Sequence, residues 1–309
     1  MRHGEVVVAV VPLFNPPDHL QDVVARLVRQ CAHVVLVDDG SAEHVWARIV
    51  TLTSGRVSVI RPGGNQGIAA ALNSGVRQAR SWGHVDFILT CDQDSLISEI
   101  YVAAALNRLH QVDHSEEYGL VAASSINKRP VQKRLFSRLE PLEPMQSGML
   151  IRALTFDRVG YFREDLFIDC VDTDFYLRCR SAGLKTLSAP PCPFVHHLGS
   201  SRWDNAIGNR FSRHPPWRTF YMIRNRLKTM QLHGGSDWEW AVRIVAIQAP
   251  AFIATVVSSP DRRAQWFAMR RGYRDFRSGS SGPIGPEERR PLPRTDGGRP
   301  RRLKWKPNA

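Results

Sequence analysis

Short apolar runs alternate with amphipathic stretches through the first two hundred residues of the chain. Residues 5–11, 33–37, Val57–Ile60 and 85–90 are rich in β-branched side chains and carry few polar positions. Strands covered on both faces of a parallel sheet read this way, whereas half-exposed strands alternate. Between them, residues 18–31 set Leu20, Val23, Val24, Leu27 and Val28 at helical spacing, with Asp18 expected as the N-cap. Residues 67–80 predict a second helix, entered from the turn Gly63-Gly64-Asn65. The strand–helix–strand order implies an α/β fold with a mostly parallel central sheet and right-handed crossovers. Ligands on such sheets bind at the carboxyl ends of the strands, and polar clusters follow Val11, Val37 and Thr90.

Composition is ordinary for a globular protein at 43% hydrophobic and 23% charged residues, which excludes wholesale disorder. The five cysteines are scattered without a CxxC pair and are expected to be reduced, which favours a cytoplasmic location; no cleaved signal peptide is expected. The net charge of +13 changes meaning once it is located. Residues 1–201 hold 20 Lys/Arg against 21 Asp/Glu, while residues 202–309 hold 22 against 8, a net of +14. A near-neutral catalytic domain over residues 1–201 is therefore expected, followed by a helical basic region over 202–277 and a flexible basic tail over 278–309 rich in Gly, Pro, Ser and Arg. The apolar run 241–257 holds Arg243, Gln248 and Pro250 and falls short of the ~20 residues that span a bilayer. Two readings stand side by side: an interfacial helix on an anionic membrane surface, peripheral on the cytoplasmic face, or a helix packed on the body with a solvated basic face.

Three acidic clusters carry the candidate chemistry. Asp92-Gln93-Asp94 follows a buried strand, and two carboxylates one residue apart suit Mg²⁺ or Mn²⁺ on a diphosphate. Asp38-Asp39-Gly40 ends another strand, where a carboxylate would accept hydrogen bonds from a base or ribose. Asp169, Asp172 and Asp174 open a helix; Asp172 is the candidate general base, with favourable charge at a helix N-terminus as the bland reading. His196 or His197 would complete the metal site or touch the diphosphate.

PLFNP at residues 12–16, VDDGS, NQGIA, CDQDS, QSG, LFIDCVDTDFYLR and HHLGS occur in an order and spacing similar to the bacterial rhamnosyltransferases of the inverting family 2 glycosyltransferases. The resemblance covers roughly residues 5–230 and implies a GT-A nucleotide-sugar-binding fold. It implies that Pro12, Phe14 and Asp39 line the base pocket; Asn15, Asp38, Asn65, Gln146, Asp169 and Asp174 are further candidate substrate contacts. Gly67 would lie in the loop approaching the donor, Asp92 and Asp94 would hold metal and diphosphate, and Asp172 would be the base. Arg224 and Asn225 match a motif without an assigned duty, with Arg224 taken as a substrate contact. Asp174 stands where rhamnosyl members commonly have Glu.

The expected function is transfer of a sugar, L-rhamnose from dTDP-L-rhamnose, to a saccharide or lipid-linked saccharide in cell-surface polysaccharide synthesis. Another donor, UDP- or GDP-linked, is the alternative. A nucleotidyltransferase would need a Gly-rich basic phosphate loop where PLFNPPDHL stands, and a Rossmann dehydrogenase would need GxGxxG there. A non-catalytic basic protein on membrane or nucleic acid leaves the acidic clusters unexplained, and no specific nucleic-acid partner is expected.

Overall fold

The computed structural model describes residues 4–126, 129–131, 133–137, 139–192, 195–196, 214–259 and 261–285. The body begins β1 (Val7–Leu13), α1 (Leu20–Val28), β2 (His33–Asp38), α2 (Glu43–Val50), β3 (Val57–Ile60) and α3 (Ile68–Ser81). It continues through β4 (Phe87–Thr90), β5 (Ser95–Leu96), α4 (Tyr101–His110), β6 (Tyr118–Ala122), β7 (Ser125–Ile126) and β8 (Arg129–Pro130). Next come β9 (Met149–Arg152), α5 (Ala153–Val159), α6 (Val171–Ser181), β10 (Lys185–Ser188) and β11 (Val195–His196). Three helices close the described chain: α7 (Pro216–His233), α8 (Trp238–Ser258) and α9 (Arg262–Arg277).

The main sheet has seven strands in the order β10-β6-β9-β4-β1-β2-β3, and β9 runs against both its neighbours while the other pairings are parallel. Every residue of β1 is buried, as a near-continuous apolar run requires. Alternate side chains serve opposite faces. Val7, Ala9, Val11 and Leu13 pack with Leu20, Val23 and Leu27 of α1 and with α4, whereas Val8 and Val10 pack with Leu72 and Val76 of α3 and Phe175 of α6. Helix α1 begins at Leu20 with His19 at its N-cap and no side-chain cap bond. Asp18, expected in that role, is instead paired with Arg48.

α7 is joined to the body by buried polar contacts. His233 Nε2 lies 3.0 Å from Asp174 Oδ1, and Asn225 reaches the loop before α6. α8 seats Trp240 and Ile244 on Tyr176, Leu177 and Leu142. α9 approaches α7 at Gly272, where a Cβ would stand 2.6 Å from the Phe220 carbonyl oxygen. Among the described residues, no helix is long and apolar enough to cross a membrane. Residues 278–285, where composition places the start of a flexible tail, lie against this layer: Ile284 is buried beside Tyr221, and the Gly282 amide donates to the Asp165 carbonyl at 2.7 Å. All five cysteines are buried free thiols.

The tightest seam lies between α3 and the sheet. A Cβ on Gly75 would stand 2.3 Å from Val10 Cγ1 and 3.0 Å from Val37 Cγ2. Valine is stiff at χ1 and cannot swing aside cheaply. Gly75→Val is therefore expected to cost about 3 kcal/mol by overpacking, read from denaturant unfolding; an unchanged midpoint would show that this seam has slack.

Candidate active site

The loops after β1, β2 and β4 meet at the carboxyl edge of the sheet and are laced together by side chains. The Phe14 amide donates to Gln93 Oε1 at 2.8 Å, and Gln93 Nε2 donates back to the Phe14 carbonyl at 3.3 Å. The Asn15 amide donates to Ser41 Oγ at 2.7 Å, while Asn15 Oδ1 accepts from the Ala42 amide at 3.0 Å. Asn15 is thus spent on the loop itself. Pro12 is buried, and Phe14, 46% exposed, offers a free aromatic face at the edge.

The two carboxylates after β2 divide their duties. Asp38 is fully buried, paired with Arg61 at 3.1 Å and accepting from the Ser41 amide, so its carboxylate is bound within the framework. Asp39 accepts from the amides of Gln66 at 2.7 Å and Gly67 at 2.9 Å and fixes the glycine loop. Within that loop, Asn65 Oδ1 is buried without a hydrogen-bond partner. Gly67 has φ +99°, and a Cβ there would meet the Phe167 carbonyl oxygen at 2.4 Å. Its close approach within the protein is to the chain before α6.

A cavity of about 460 Å³ opens beside this edge. Asp92, Glu143, Gln146, Asp169, Asp172, Arg218 and Arg226 supply its polar wall, with Ile68, Leu72, Met222 and Phe252 between them. The segment entering α6 is strained: Phe167, Asp169 and Cys170 have φ of 66°, 62° and 62°. Such conformations persist only when the surroundings over-determine them. Here Asn225 Nδ2 donates to the carbonyls of Leu166 at 2.7 Å, Ile168 at 2.6 Å and Asp169 at 3.2 Å. Arg224, only 2% exposed, donates to the Leu166 and Gly282 carbonyls and to Asn225 Oδ1. Arg224 is therefore a clamp on this turn and does not line the cavity.

The acidic residues of this turn have separate fates. Asp172 Oδ2 accepts from the Gln146 amide at 3.1 Å and Oδ1 from the Thr173 amide at 2.8 Å. Burial, then the charge of Glu143, pushes its pKa up to about 6. Asp92 is pushed to about 7 by burial, then by the charges of Asp94 and Asp172. Asp169 is held by Arg218 at 3.1 Å. Asp174 turns the other way: 0% exposed, it is bound by Arg163 at 3.0 Å, Arg178 at 2.8 Å and His233, and its pKa is drawn down to about 2. Asp174 is thus a framework anion outside the cavity, contrary to the substrate contact expected of it.

Arg218, Met222, Arg226 and Glu143 line the cavity without being among the residues expected there. The first three recur every fourth residue of α7, a one-face spacing visible in the sequence. Arg226 pairs with Glu143, which also accepts from Thr173 Oγ1 at 3.0 Å and Trp240 Nε1 at 3.3 Å. Glu143 sits in an unpatterned proline loop and left no such signal. Gln146 is 6% exposed, and neither its Nε2 nor its Oε1 has a hydrogen-bond partner. A buried amide left so costs about 1–3 kcal/mol, which a bound ligand's hydroxyls would relieve.

Asp94, half-buried and next along the loop from Asp92, raises Asp92 by its charge. Like charges gathered this way favour a cation, and two hard carboxylates plus diphosphate oxygens are a donor set that Mg²⁺ or Mn²⁺ takes. Among the described residues no three His, Cys, Asp or Glu side chains converge as a cage. The backbone of His196 pairs with Ser95 across β11 and β5, beside Asp94. Its side chain and all of His197 lie outside the described residues.

The family described as glycosyl transferase family 2 matches residues 8–173. A dTDP-rhamnosyl transferase, RfbF of Shigella flexneri, is 27% identical over 237 residues, 71% of this chain and 78% of that protein. Among solved structures, S. aureus TarS 1-349 in complex with UDP-GlcNAc aligns with TM-score 0.54 at 15% identity, covering 89% of this chain and 92% of that one. The mannosyltransferase PcManGT from Pyrobaculum calidifontis, in complex with GDP-Man and Mn²⁺, aligns with TM-score 0.53 at 15% identity over 90% and 84%. The mixed sheet with its single reversed strand is the GT-A fold of these glycosyltransferases.

The Asp174 anchor has a pH signature. Its pKa is depressed in the folded state, so its stabilisation is present above pH 4 and is lost as pH falls from about 4 to about 2. Asp174→Asn, which strands Arg163 and Arg178, is expected to cost about 3 kcal/mol at neutral pH. Thermal unfolding should show the gap to wild type closing across that acid window. A gap that stays constant would remove the ion-pair explanation.

Proposed function

Because the chain belongs to glycosyl transferase family 2, we propose that its cavity carries out an inverting transfer of L-rhamnose from dTDP-L-rhamnose to a saccharide or lipid-linked saccharide hydroxyl. The observation that carries the chemistry is Asp172: a carboxylate on the cavity wall, steered by two backbone amides and shifted towards neutrality by burial. The rhamnosyl donor is supported by the similarity to a protein named a dTDP-rhamnosyl transferase. Two GT-A neighbours in complex with nucleotide sugars, one with Mn²⁺, support the donor class and the metal.

In this mechanism Asp172 takes the proton of the acceptor hydroxyl as its oxygen attacks the anomeric carbon, and the bond from that carbon to the diphosphate breaks with its electron pair leaving on the diphosphate. A β-linked donor gives an α-linked product. Arg218, set among Asp92, Asp169 and Asp172, supplies positive charge on the diphosphate side. Asp92 and Asp94 would hold Mg²⁺ or Mn²⁺, which when bound offsets the charge developing on the leaving diphosphate. Gln146 offers its unpaired amide to sugar hydroxyls, and Phe14 an aromatic face to the base. The net +14 of residues 202–309 supports a peripheral position on the cytoplasmic face of a membrane, where lipid-linked acceptors present their saccharides.

The test is a donor panel of dTDP-rhamnose, UDP-glucose, UDP-galactose and GDP-mannose, read by hydrolysis or transfer with Mn²⁺ and with excess EDTA. Turnover of dTDP-rhamnose is expected, lost in EDTA and lowered about 10²–10⁴-fold by Asp172→Asn with donor affinity retained. A UDP or GDP sugar turned over in its place would reassign the donor; full activity in EDTA or in Asp172→Asn would overturn the mechanism.

A further inference from the structure

A second, larger cavity lies outside the site described above. It is a groove of about 790 Å³ between α7, α8 and α9, wider than the catalytic cavity at about 460 Å³. Ile223, Met230, Ile244, Phe252, Trp266 and Met269 give it an apolar floor and walls. The α9 wall is mixed: Trp266, Met269 and Tyr273 share it with Arg270, Arg274 and Arg277, positions three and four apart on one helical face. On its other side α9 meets α7 through Gly272 and Gln265. Ile253, Trp266 and Tyr273 are 64%, 54% and 53% exposed, apolar surface held in water at a cost.

The groove adjoins the catalytic cavity. Arg226, Gln248 and Phe252 line both, and Arg226 also faces Glu143 beside Asp172. A ligand that fits this surface has a hydrocarbon chain for the apolar floor, an anionic linkage for the three arginines, and a polar head that reaches past Arg226. A second copy of the chain fits poorly, because a two-fold contact would set these arginines against their own equivalents. A flat bilayer surface does not fill a concavity.

Resting on the transferase reading, we propose that this groove binds the lipid chain of a lipid-phosphate-linked acceptor, Arg270, Arg274 and Arg277 meeting the phosphate linkage, so that the acceptor saccharide is delivered to Asp172. The α8 run 241–257 then serves as a wall of an acceptor site, which accounts for an apolar helix on a basic region without a membrane span.

The experiment uses the full chain saturated with dTDP to block the donor site, and geranylgeranyl diphosphate as the probe, followed by titration calorimetry. Inorganic diphosphate and geranylgeraniol serve as head-only and tail-only controls. Two variants bracket the claim: Ala249→Trp, which fills the groove from an exposed α8 position away from the catalytic cavity, and Arg270→Gln combined with Arg274→Gln and Arg277→Gln. The probe should bind at least about tenfold more tightly than either control, and each variant should weaken it about tenfold, while donor hydrolysis and melting temperature stay at wild-type values. Wild-type probe affinity in a correctly folded Ala249→Trp overturns the proposal. Binding only to phosphatidylglycerol vesicles, equal in wild type and Ala249→Trp, overturns it in favour of a bilayer surface, and a dimer in sedimentation that Ala249→Trp dissolves overturns it in favour of a second copy. Should no nucleotide sugar be turned over while the probe still binds the groove, the acceptor assignment falls with the transferase reading, and the lipid site stands alone.

Discussion

One side-chain amide holds the site in shape. Asn225 Nδ2 is directed at the carbonyls of Leu166, Ile168 and Asp169, in a turn where Phe167, Asp169 and Cys170 have positive φ. None of these residues is glycine, and each such conformation costs on the order of 1–3 kcal/mol, so the turn exists only because α7 braces it. Arg224 seals the brace from behind, and Gly67 gives the turn room by lacking a Cβ against the Phe167 carbonyl. What the strain achieves is geometric. It aims Asp169 and Asp172 into one cavity while sending Asp174, two residues on, into the protein.

The electrostatics follow from that division. Asp174 sits among His233, Arg178 and Arg163 and is held ionised, at about 2; burial first, and neighbouring carboxylates second, push Asp172 and Asp92 to about 6 and about 7. The separation of titratable groups into framework anions and destabilised ones marks functional chemistry. Arg218 and Arg226 moderate the repulsion without cancelling it, since four carboxylates line the cavity against these two arginines. Asp38, neutralised by Arg61, repeats the framework role at the other end of the edge.

Much of this was legible in the chain, and the reasons for the rest are physical. Buried parallel strands announce themselves as unbroken apolar runs, so β1 to β4 lie within two residues of their expected bounds, and Asp92 and Asp172, distant in sequence, line one cavity. Spacing alone cannot tell which of Asp38 and Asp39, or of Asp172 and Asp174, meets ligand, because the answer depends on arginines distant in sequence: Arg61, Arg163 and Arg178. Arg224 read as a substrate contact because a charged residue in a motif suggests a ligand, and only burial against carbonyl oxygens shows it to be a clamp. α8 read equally well as membrane-facing or packed, since an apolar helix beside arginines satisfies both patterns until its neighbours are known.

If the brace is what aims Asp172 into the cavity, removing it should harm chemistry more than binding. The decisive measurement is the steady-state kinetics of Asn225→Ala with dTDP-rhamnose, alongside its thermal unfolding. A displacement of Asp172 by about 1 Å is expected to lower kcat about 10²-fold with the donor KM little changed and the fold retained. Wild-type kcat in a folded Asn225→Ala protein would contradict the account, because the strained turn would then be incidental to the reaction.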